Sequence, residues 1–299
     1  MPEVDQAIEL PFDHGELQLK KRWVFARTLR YSNYHRAFVL PNSLKSALIP
    51  AMAGIPRRIG WRGEYRYKLL TDLRILHETR FPRMIDRYMA LGFPANLALS
   101  ANQLPEAPPL PQLAVDEASQ AALIKTHGLE TTRLVGLCPG AEFGPAKQWP
   151  LDRFADLAKR LVDEGYQVLL LGSPNDAEDA ALIMDQVPEP KRSEFVNLTG
   201  QTSIPEVVDL IGLTQAVVTH DSGLMHVAAA TGRPLVALYG PSSPVHTPPL
   251  SESAVTLTHP VPCHPCFERE CPLKHQACLS ELSVDEVFQA LVSQMNRLV

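Results

Sequence analysis

The second half of the chain is an alternation of short apolar segments with segments of helical periodicity. The apolar segments have the length of single strands and occupy residues 134–138, 166–171, 195–198, 216–219 and 234–239. The segments between them place apolar residues on one helical face, at residues 151–164, 176–185, 204–211 and 222–230. Strands that alternate with helices at this spacing form βαβ units and a parallel sheet. The sequence therefore predicts an α/β fold, whose ligands bind beyond the carboxyl ends of the strands.

A proline-rich stretch separates this region from the first third of the chain. Residues 104–113 read LPEAPPLPQL, and four prolines in ten residues cannot continue a helix or a central strand. We therefore predict a first domain over 1–105, a linker over 106–133 and a second domain over 134–299. The closing amphipathic helix at 283–298 is a candidate to pack back on the first domain. The first domain is predicted to contain a strand at 37–40, helices at 43–52 and 81–91, and a basic hairpin-like stretch at 55–68.

The charges are unevenly divided along the chain. The net charge is −5, but residues 1–100 carry 16 Lys and Arg against 9 Asp and Glu, whereas residues 101–299 carry 12 against 24. A basic first third suits an anionic macromolecule or a membrane surface, although two solvated faces explain the same counts. No apolar run approaches the roughly 18–20 residues of a membrane span, and no signal-peptide pattern is visible. These features predict a cytoplasmic protein.

Two strand-to-helix junctions carry the residue types of an anion site. The first, CPGAEFGPAKQWP at 138–150, is a Gly/Pro-rich loop with a cation at Lys147. The second, VTHDSGLMH at 218–226, ends a strand at Asp221 and opens a helix with small residues. Backbone N–H groups at such a helix start attract phosphate. Taken singly, Gly223 also fits a tight turn and Lys147 a solvated loop. Together, at one sheet edge, the two junctions predict a diphosphate ligand bound by Lys147 and the amides of Ser222, Gly223 and Leu224.

The combination of these motifs resembles a known enzyme family. PGA-x5-Lys-x-Trp-Pro, followed at this distance by Asp-Ser-Gly-Leu-Met-His, is similar to the ADP-heptose:lipopolysaccharide heptosyltransferases. The similarity continues through LYGPSSP at 238–244 and CHPCFERECPL at 263–273. The segments LPNSLKSA at 40–47 and GIPRRIGWRGE at 54–64 resemble the members that add the second heptose. The resemblance covers essentially the whole chain.

The resemblance implies a fold and a reaction. The fold would be of the GT-B type, with two Rossmann-like domains, a cleft between them and the donor ADP on the C-terminal domain. The reaction would be an inverting transfer of heptose from ADP-heptose to the lipopolysaccharide inner core, without a catalytic metal. Lys147 would neutralise the departing diphosphate, and Asp221 and His226 match the family motif. The enzyme would work at the inner face of the cytoplasmic membrane, as a peripheral protein.

An acidic pair follows the strand predicted at 166–171. Asp176 and Glu178 are placed to accept hydrogen bonds from the ribose hydroxyls, as acidic residues do in other dinucleotide folds. A helix N-terminus also favours carboxylates at these positions, and both interpretations stay open.

The family's first strand and its Gly-containing loop, which carries the Asp that deprotonates the acceptor, have no match before Ala37. The resemblance therefore implies that the N-terminal domain lacks its first strand and that the general base is not present in these 299 residues. Asp5 and Asp13 do not follow such a loop, and Asp13 is the nearest substitute. We expect a chain with this sequence to bind ADP but to transfer heptose at least ~100-fold more slowly than one extended upstream.

Basic residues gather on a short segment of the first domain. Arginine forms bidentate contacts with phosphate, and a phosphorylated core oligosaccharide is polyanionic. The alternatives are a solvated loop or salt bridges with nearby carboxylates. Nucleic acid is disfavoured as a partner, because no recognition helix or stacking platform accompanies the cluster. The predicted acceptor-binding residues are Lys45, Arg57, Arg58, Arg62 and Arg66.

Four cysteines near the C-terminus have metal-ligand character. Cys263-x2-Cys266-x4-Cys271-x6-Cys278 opens with the CxxC pair that is typical of structural zinc sites. A cytoplasmic location argues against disulfides, and packed reduced thiols are the alternative to zinc. Cys138, inside a strand, is predicted to be a small core residue.

Two functions of other classes stay open at this point. A missing base would leave a non-catalytic nucleotide-sugar-binding remnant. A nucleotide-sugar epimerase shares the two-domain architecture but would need additional carboxylates in its cleft, which the sequence does not identify.

Overall fold

The computed structural model describes residues 2–12, 16–95, 104 and 109–297. It divides into two compact units, Val4–Pro109 and Leu110–Val299, the second of which includes the first three residues. Asp13 and residues 106–108 of the predicted linker lie outside the described residues. Within the described ranges, no helix is long and apolar enough to cross a membrane.

The N-terminal unit contains a small, entirely parallel sheet. Its strands lie in the order β1-β2-β3, with β1 at Arg36–Phe38, β2 at Arg57–Trp61 and β3 at Asp72–Arg74. The described helices of this unit are α1 (Leu19–Arg30), α2 (Leu44–Met52) and α3 (Met84–Gly92).

The hairpin predicted over 55–68 is wrong. β2 follows β1 in parallel, with Arg36 opposite Arg57, and helix α2 is the crossover between the two strands. A parallel pair needs such a crossover, whereas a hairpin joins antiparallel strands. The arginines at 57 and 58 made this segment resemble an exposed ribbon, but Ile59 and Trp61 are buried and pack on Phe81 in the unit's core.

The C-terminal unit is a six-stranded parallel sheet with helices on both faces. The strand order is β6-β5-β4-β7-β8-β9. The strands are β4 (Leu134–Cys138), β5 (Gln167–Leu170), β6 (Phe195–Asn197), β7 (Ala216–His220), β8 (Leu235–Leu238) and β9 (Ala254–Leu257). The helices are α4 (Glu117–His127), α5 (Leu151–Asp163), α6 (Ala177–Asp185), α7 (Ile204–Leu213), α8 (Gly223–Ala230), α9 (Ala277–Ser280) and α10 (Val284–Asn296).

Apolar side chains fill both faces of this sheet. Val135 and Leu137 of β4 point into one core cluster, and Leu134 and Cys138 of the same strand point into the other. Because successive side chains of a strand alternate between faces, a strand covered on both sides is apolar throughout. This is why strands 134–138, 166–171 and 216–219 were predictable almost to the residue. Cys138 is a core residue, as predicted.

The predicted linker and closing helix both have structure within the C-terminal unit. Helix α4 lies inside the range 106–133, is capped by Asp116, and contacts α7 through a bond from Asp116 N–H to the Asp209 carboxylate at 2.8 Å. Helix α10 begins after Ser283, whose side chain caps it by accepting the Glu286 N–H. Its residues Val287 and Leu291 are buried in the unit's own core, so it packs on the sheet of its own unit.

Candidate nucleotide-binding site

The two junction loops meet at the centre of the C-terminal sheet. Strands β4 and β7 are neighbours, with Cys138 opposite Thr219, although nearly 80 residues separate them in the chain. From β4 the chain moves outward to β5 and β6, and it then returns to place β7 on the other side of β4. Such a reversal of strand order opens a crevice beyond the carboxyl ends of the two strands. The loop at 139–150 and the turn at 221–222 both lie at this crevice.

Lys147 and Asp221 form an ion pair across these loops. Lys147 ends a short 3₁₀-helix, Pro145–Lys147, and its Nζ lies 2.7 Å from Asp221 Oδ2 and 3.2 Å from the Asp221 carbonyl oxygen. Thr247 Oγ1 donates to the other carboxylate oxygen at 3.0 Å. The Lys147 side chain is 15% exposed and that of Asp221 is 6% exposed. The predicted cation is therefore held in place before any ligand arrives.

His220 fastens the loop that carries Lys147 to the end of β7. The imidazole is fully buried; its Nε2 accepts the Trp149 N–H at 2.8 Å, and its Nδ1 donates to the Gly140 carbonyl at 3.2 Å. These two partners fix the neutral tautomer with the proton on Nδ1. Burial lowers the pKa of His220 to about 4. A neutral imidazole with one hydrogen bond at each ring nitrogen therefore joins both ends of the 138–150 loop to β7.

A cavity of about 450 Å³ lies beside this pair, at the start of helix α8. Ser222, Gly223 and Leu224 line it, whereas Lys147 and Asp221 are not among its lining residues. Ser222 is the N-cap in an extended conformation, so the first-turn N–H groups have no partners within the helix. A Cβ built on Gly223 meets no atom within 4 Å, which leaves that approach open to a ligand. The remaining lining residues are Gly140, Glu142, Gly172, Ser173, Pro174, Asp176, Thr202, Ile204, Val207 and Val227.

His226 lies on α8, one turn beyond Ser222. Its side chain is exposed. Partial desolvation lowers the pKa of His226, the Asp221 carboxylate opposes this, and the Lys147 ammonium adds to it. The ring is therefore close enough to the Lys147–Asp221 pair to respond to its charges.

The two acidic candidates for the ribose take different positions. Asp176 is buried at the cavity wall, and its Oδ2 accepts hydrogen bonds from Ser173 N at 2.7 Å and Ser173 Oγ at 2.8 Å. This is the capping contact that the sequence left open as the alternative. Glu178 is exposed in the first turn of α6 and is not among the cavity's lining residues. A ribose contact for either residue stays a prediction.

The basic residues of the N-terminal unit separate into two groups. Arg66 is fully buried, where it donates to the Trp61 and Pro41 carbonyls and to Asn42 Oδ1 at 2.8 Å. Burial lowers the pKa of Arg66, and Glu64 opposes this. Arg66 is therefore removed from the predicted acceptor-binding residues, because its guanidinium already donates to groups within the fold.

Arg58 is also tied to the backbone, donating to the Leu69 and Ile55 carbonyls at 2.6 and 2.5 Å. Arg57 and Arg62 are exposed, and Lys45 is half-buried at the wall of a cavity of about 670 Å³. The acceptor-binding prediction consequently rests on Arg57, Arg62 and Lys45.

All four C-terminal cysteines line one small cavity. Its volume is about 20 Å³, and Ala146 of the Lys147 loop is also part of its wall. The five cysteines of the chain are free thiols. Burial raises the pKa of Cys278, and the nearby charges of Cys263, Cys266 and Cys271 raise it further. Within the described ranges, no three His, Cys, Asp or Glu side chains stand in metal-binding geometry.

Sequence reasoning missed three residues that shape the site. Thr247 supports Asp221 from a loop after β8, and nothing local in the sequence identifies it. Phe143 lies under the Lys147 ammonium, with 4.8 Å between Nζ and the ring centroid. His220 lies inside the motif VTHDSGLMH, so its place at the end of the strand could have marked it as a residue that supports the site.

Comparison with known proteins identifies the family. The chain is 50% identical over 255 residues to lipopolysaccharide heptosyltransferase 2 of Escherichia coli K12, a match covering 85% of this chain and 73% of that protein. It is 44% identical over 297 residues to lipopolysaccharide heptosyltransferase 2 of Salmonella typhimurium LT2, covering 99% and 85%.

Among solved structures, the chain is similar to that of E. coli ADP-heptose lps heptosyltransferase II. The TM-score is 0.89 at 42% identity, over 100% of this chain and 85% of that one. This similarity confirms the predicted α/β fold of the GT-B class. The profile of glycosyltransferase family 9 (heptosyltransferase) matches residues 22–277. The chain therefore belongs to glycosyltransferase family 9, the heptosyltransferases.

Proposed function

We propose that this chain transfers heptose from ADP-heptose to the inner-core heptose of lipopolysaccharide with inversion at the anomeric carbon. The observation that carries the proposal is the Lys147–Asp221 pair beside the open start of α8, at the crevice between β4 and β7. The choice of heptose as the sugar and lipopolysaccharide as the acceptor is supported by the relatives named above, which are lipopolysaccharide heptosyltransferases. They also weigh against an epimerase and against a non-catalytic remnant.

The donor diphosphate would occupy the cavity wall formed by Ser222, Gly223 and Leu224. Its oxygens would accept the free N–H groups of the first turn of α8, where the helix dipole favours negative charge. Lys147 would exchange part of its contact with Asp221 for the diphosphate. The largely apolar remainder of the cavity, including Ile204 and Val207, suits the adenosine.

The reaction is a displacement at the anomeric carbon. The acceptor oxygen attacks that carbon and releases its proton to water, while the bond to the diphosphate breaks and its electron pair leaves with ADP. Negative charge therefore grows on ADP, next to Lys147 and the α8 amides, and fixed donors at this position stabilise the transition state. These groups perform the charge neutralisation that a catalytic metal supplies in other transferases.

The acceptor and the location follow from the exposed basic residues of the N-terminal unit. Arg57 and Arg62 are free to contact phosphate groups of a lipopolysaccharide core. Such an acceptor is embedded in a membrane, so we propose peripheral binding at the cytoplasmic face of the inner membrane. Nucleic acid is not a proposed partner.

The first test concerns Lys147. We expect Lys147→Ala to weaken ADP binding by roughly 1.5–3 kcal/mol, the range for a charge-assisted hydrogen bond. Calorimetric titration of ADP measures this. The matched control is Lys159→Ala, which removes a lysine paired with Asp156 on the surface of α5. Equal ADP affinities for both variants would remove Lys147 from the donor site.

The second test uses the open space at Gly223. Gly223→Ala introduces a methyl group that meets no protein atom within 4 Å, and alanine is the better helix former. We expect unchanged or raised thermal stability, together with at least tenfold weaker ADP binding, because the methyl group occupies the approach of the phosphate. Wild-type ADP affinity in this variant would contradict the proposed position of the diphosphate.

A further inference from the structure

The C-terminal cysteines form a cluster that the donor chemistry does not use. Cys263, Cys266 and Cys271 lie in the loops after β9, and Cys278 lies in the short helix α9. All four contribute to the wall of the same cavity of about 20 Å³. A water molecule needs a cavity of roughly 10–15 Å³, so this cavity has room for one particle of about that size.

Packing alone does not account for the cluster. Cys278 is buried, but Cys263, Cys266 and Cys271 are partly exposed. Reduced thiols that serve as small apolar residues are among the most buried side chains in proteins. Three partly exposed thiols on the wall of one small cavity instead supply, together with Cys278, the four sulfur donors of a thiolate metal site.

The backbone around Cys271 is arranged to stabilise a thiolate. The Gln276 N–H donates to Cys271 Sγ at 3.5 Å. Amide donors to a ligating sulfur are the usual support around a bound metal.

The same segment contains several residues in left-handed backbone conformations. Phe267, Lys274 and Gln276 have φ values of 59°, 59° and 46°, which non-glycine residues adopt only when the surroundings hold them there. No strand and no long helix holds residues 258–276. A bound ion would supply the constraint that secondary structure does not.

The two histidines of the segment already have partners at one ring nitrogen. His264 Nδ1 donates to the Gly240 carbonyl at 2.7 Å, and His275 Nδ1 accepts the Ala277 N–H at 2.9 Å. His264 is not among the residues that line the cavity, whereas all four thiols are, so the thiols are the favoured ligands. Within the described residues their sulfurs do not stand in coordination geometry, so the side chains have to move for an ion to bind.

We propose that Cys263, Cys266, Cys271 and Cys278 bind one tetrahedral divalent metal ion, zinc or ferrous iron, as a closed four-thiolate site. Tetrahedral sulfur coordination is typical of these two metals. Each thiol that becomes a ligand releases its proton to the solvent. With four protein ligands the ion has no open position, so it acts on structure and takes no part in the transfer.

The proposed ion would support the loop that carries Lys147. Ala146 N–H donates to the Arg269 carbonyl at 3.1 Å, and Gln276 Nε2 donates to the Pro145 carbonyl at 2.8 Å. Gly144 approaches the same Arg269 carbonyl so closely that a Cβ would lie 2.5 Å from it. The cysteine segment and the donor loop are therefore one packed body. This step rests on the proposed donor site.

The test begins with metal content. The full chain is produced in medium supplemented with zinc and, separately, with iron, and analysed by inductively coupled plasma mass spectrometry. We expect about one metal ion per chain. The element found distinguishes zinc from iron. Cys266→Ser should lower the content at least fivefold, whereas Cys138→Ala, which removes the core thiol of β4, should leave it unchanged.

A second measurement uses the wild-type chain and does not depend on how a variant folds. Removal of the metal with a chelator should lower the melting temperature by at least about 5 °C, and stoichiometric zinc should restore it. ADP affinity should fall about tenfold in the metal-free protein.

The outcomes separate the two proposals. Less than 0.1 metal ion per chain in both media, with four reactive thiols and a melting temperature insensitive to chelator, would overturn the metal site. One ion per chain with unchanged ADP affinity after its removal would keep the site and reject its link to the donor loop.

Discussion

At the residue scale, the site depends on side chains whose charge state is set by burial and by fixed partners. Lys147 has a carboxylate partner at 2.7 Å, and this pair is held between loops that His220 joins. His220 performs that task only as a neutral imidazole, because its Nε2 must accept the Trp149 N–H. Protonation would put two N–H donors face to face inside a fully buried pocket.

This arrangement predicts a pH dependence of stability. The pKa of His220 is about 4 in the folded chain, against an ordinary value of 6.5. The unfolded chain therefore takes up a proton as the pH falls below 6.5, and the folded chain does so only near pH 4. His220 thus contributes to stability fully above pH 6.5, and up to about 3 kcal/mol is lost as the pH falls to 4.

Urea unfolding at intervals between pH 4 and 7 measures this loss. His220→Gln is the control, since its side-chain amide can accept the Trp149 N–H and does not titrate. The difference in unfolding free energy between the two proteins should shrink as the pH is lowered. A difference that is constant over this range would show that His220 does not titrate as described.

At the element scale, short segments are held by side chains that reach across to backbone carbonyls. Arg66 joins the end of β2, through the Trp61 carbonyl, to the loop before α2, through Pro41 and Asn42. In the C-terminal unit, Ser203 and Ser283 open helices α7 and α10 with reciprocal contacts to a glutamate three residues on. Short strands and the first turns of helices keep their positions through such contacts.

Arg66 and Arg62 therefore give opposite predictions. Arg66→Ala leaves buried carbonyl groups without a donor, and we expect it to lower the unfolding free energy by about 2–4 kcal/mol. Arg62→Ala removes an exposed side chain and should change the unfolding free energy by less than about 0.5 kcal/mol. Urea denaturation compares the two. If both variants had wild-type stability, the proposal that Arg66 holds the end of β2 to the loop before α2 would be wrong.

At the scale of the whole molecule, the two units differ in charge. Residues 1–100 have an excess of basic residues and residues 101–299 an excess of acidic ones. The basic share is smaller at the surface than the sequence suggests, because Arg58 and Arg66 are used inside the fold. Arg57 and Arg62 remain exposed on the basic unit, where the proposed anionic acceptor would bind.

This distribution predicts salt-sensitive binding to anionic vesicles. Each basic residue near such a surface contributes about 1 kcal/mol, so Arg57→Ser combined with Arg62→Ser should weaken binding by roughly 10–30-fold. Co-sedimentation with vesicles containing phosphatidylglycerol measures the effect, which should fade as salt shortens the screening length. The control pair, Lys125→Ser with Lys159→Ser on the acidic unit, should bind as the wild type does. Equal loss for both pairs would indicate a general charge effect without a defined surface.

The sequence by itself determined what depends on neighbouring residues. Buried strands such as β4 are continuous apolar runs, and helix starts such as Ser283 have capping residues, so both were readable locally. The nucleotide motifs were equally local, since each is one strand end and the loop after it. Helix α1 and strand β9 were not predicted, because their residues are mostly exposed or only half-buried and show no clear hydrophobic periodicity.

The tertiary structure alone decided which distant residues meet. The Lys147–Asp221 pair spans 74 positions, and the Trp149–His220 bond spans 71. Neither exists until β7 is placed beside β4, and no local pattern encodes that order of strands. Burial likewise separated Arg66 from Arg62, four residues apart and chemically identical. Local patterns fix elements through short-range sterics and hydrophobic periodicity, whereas partners and burial depend on how the whole chain packs.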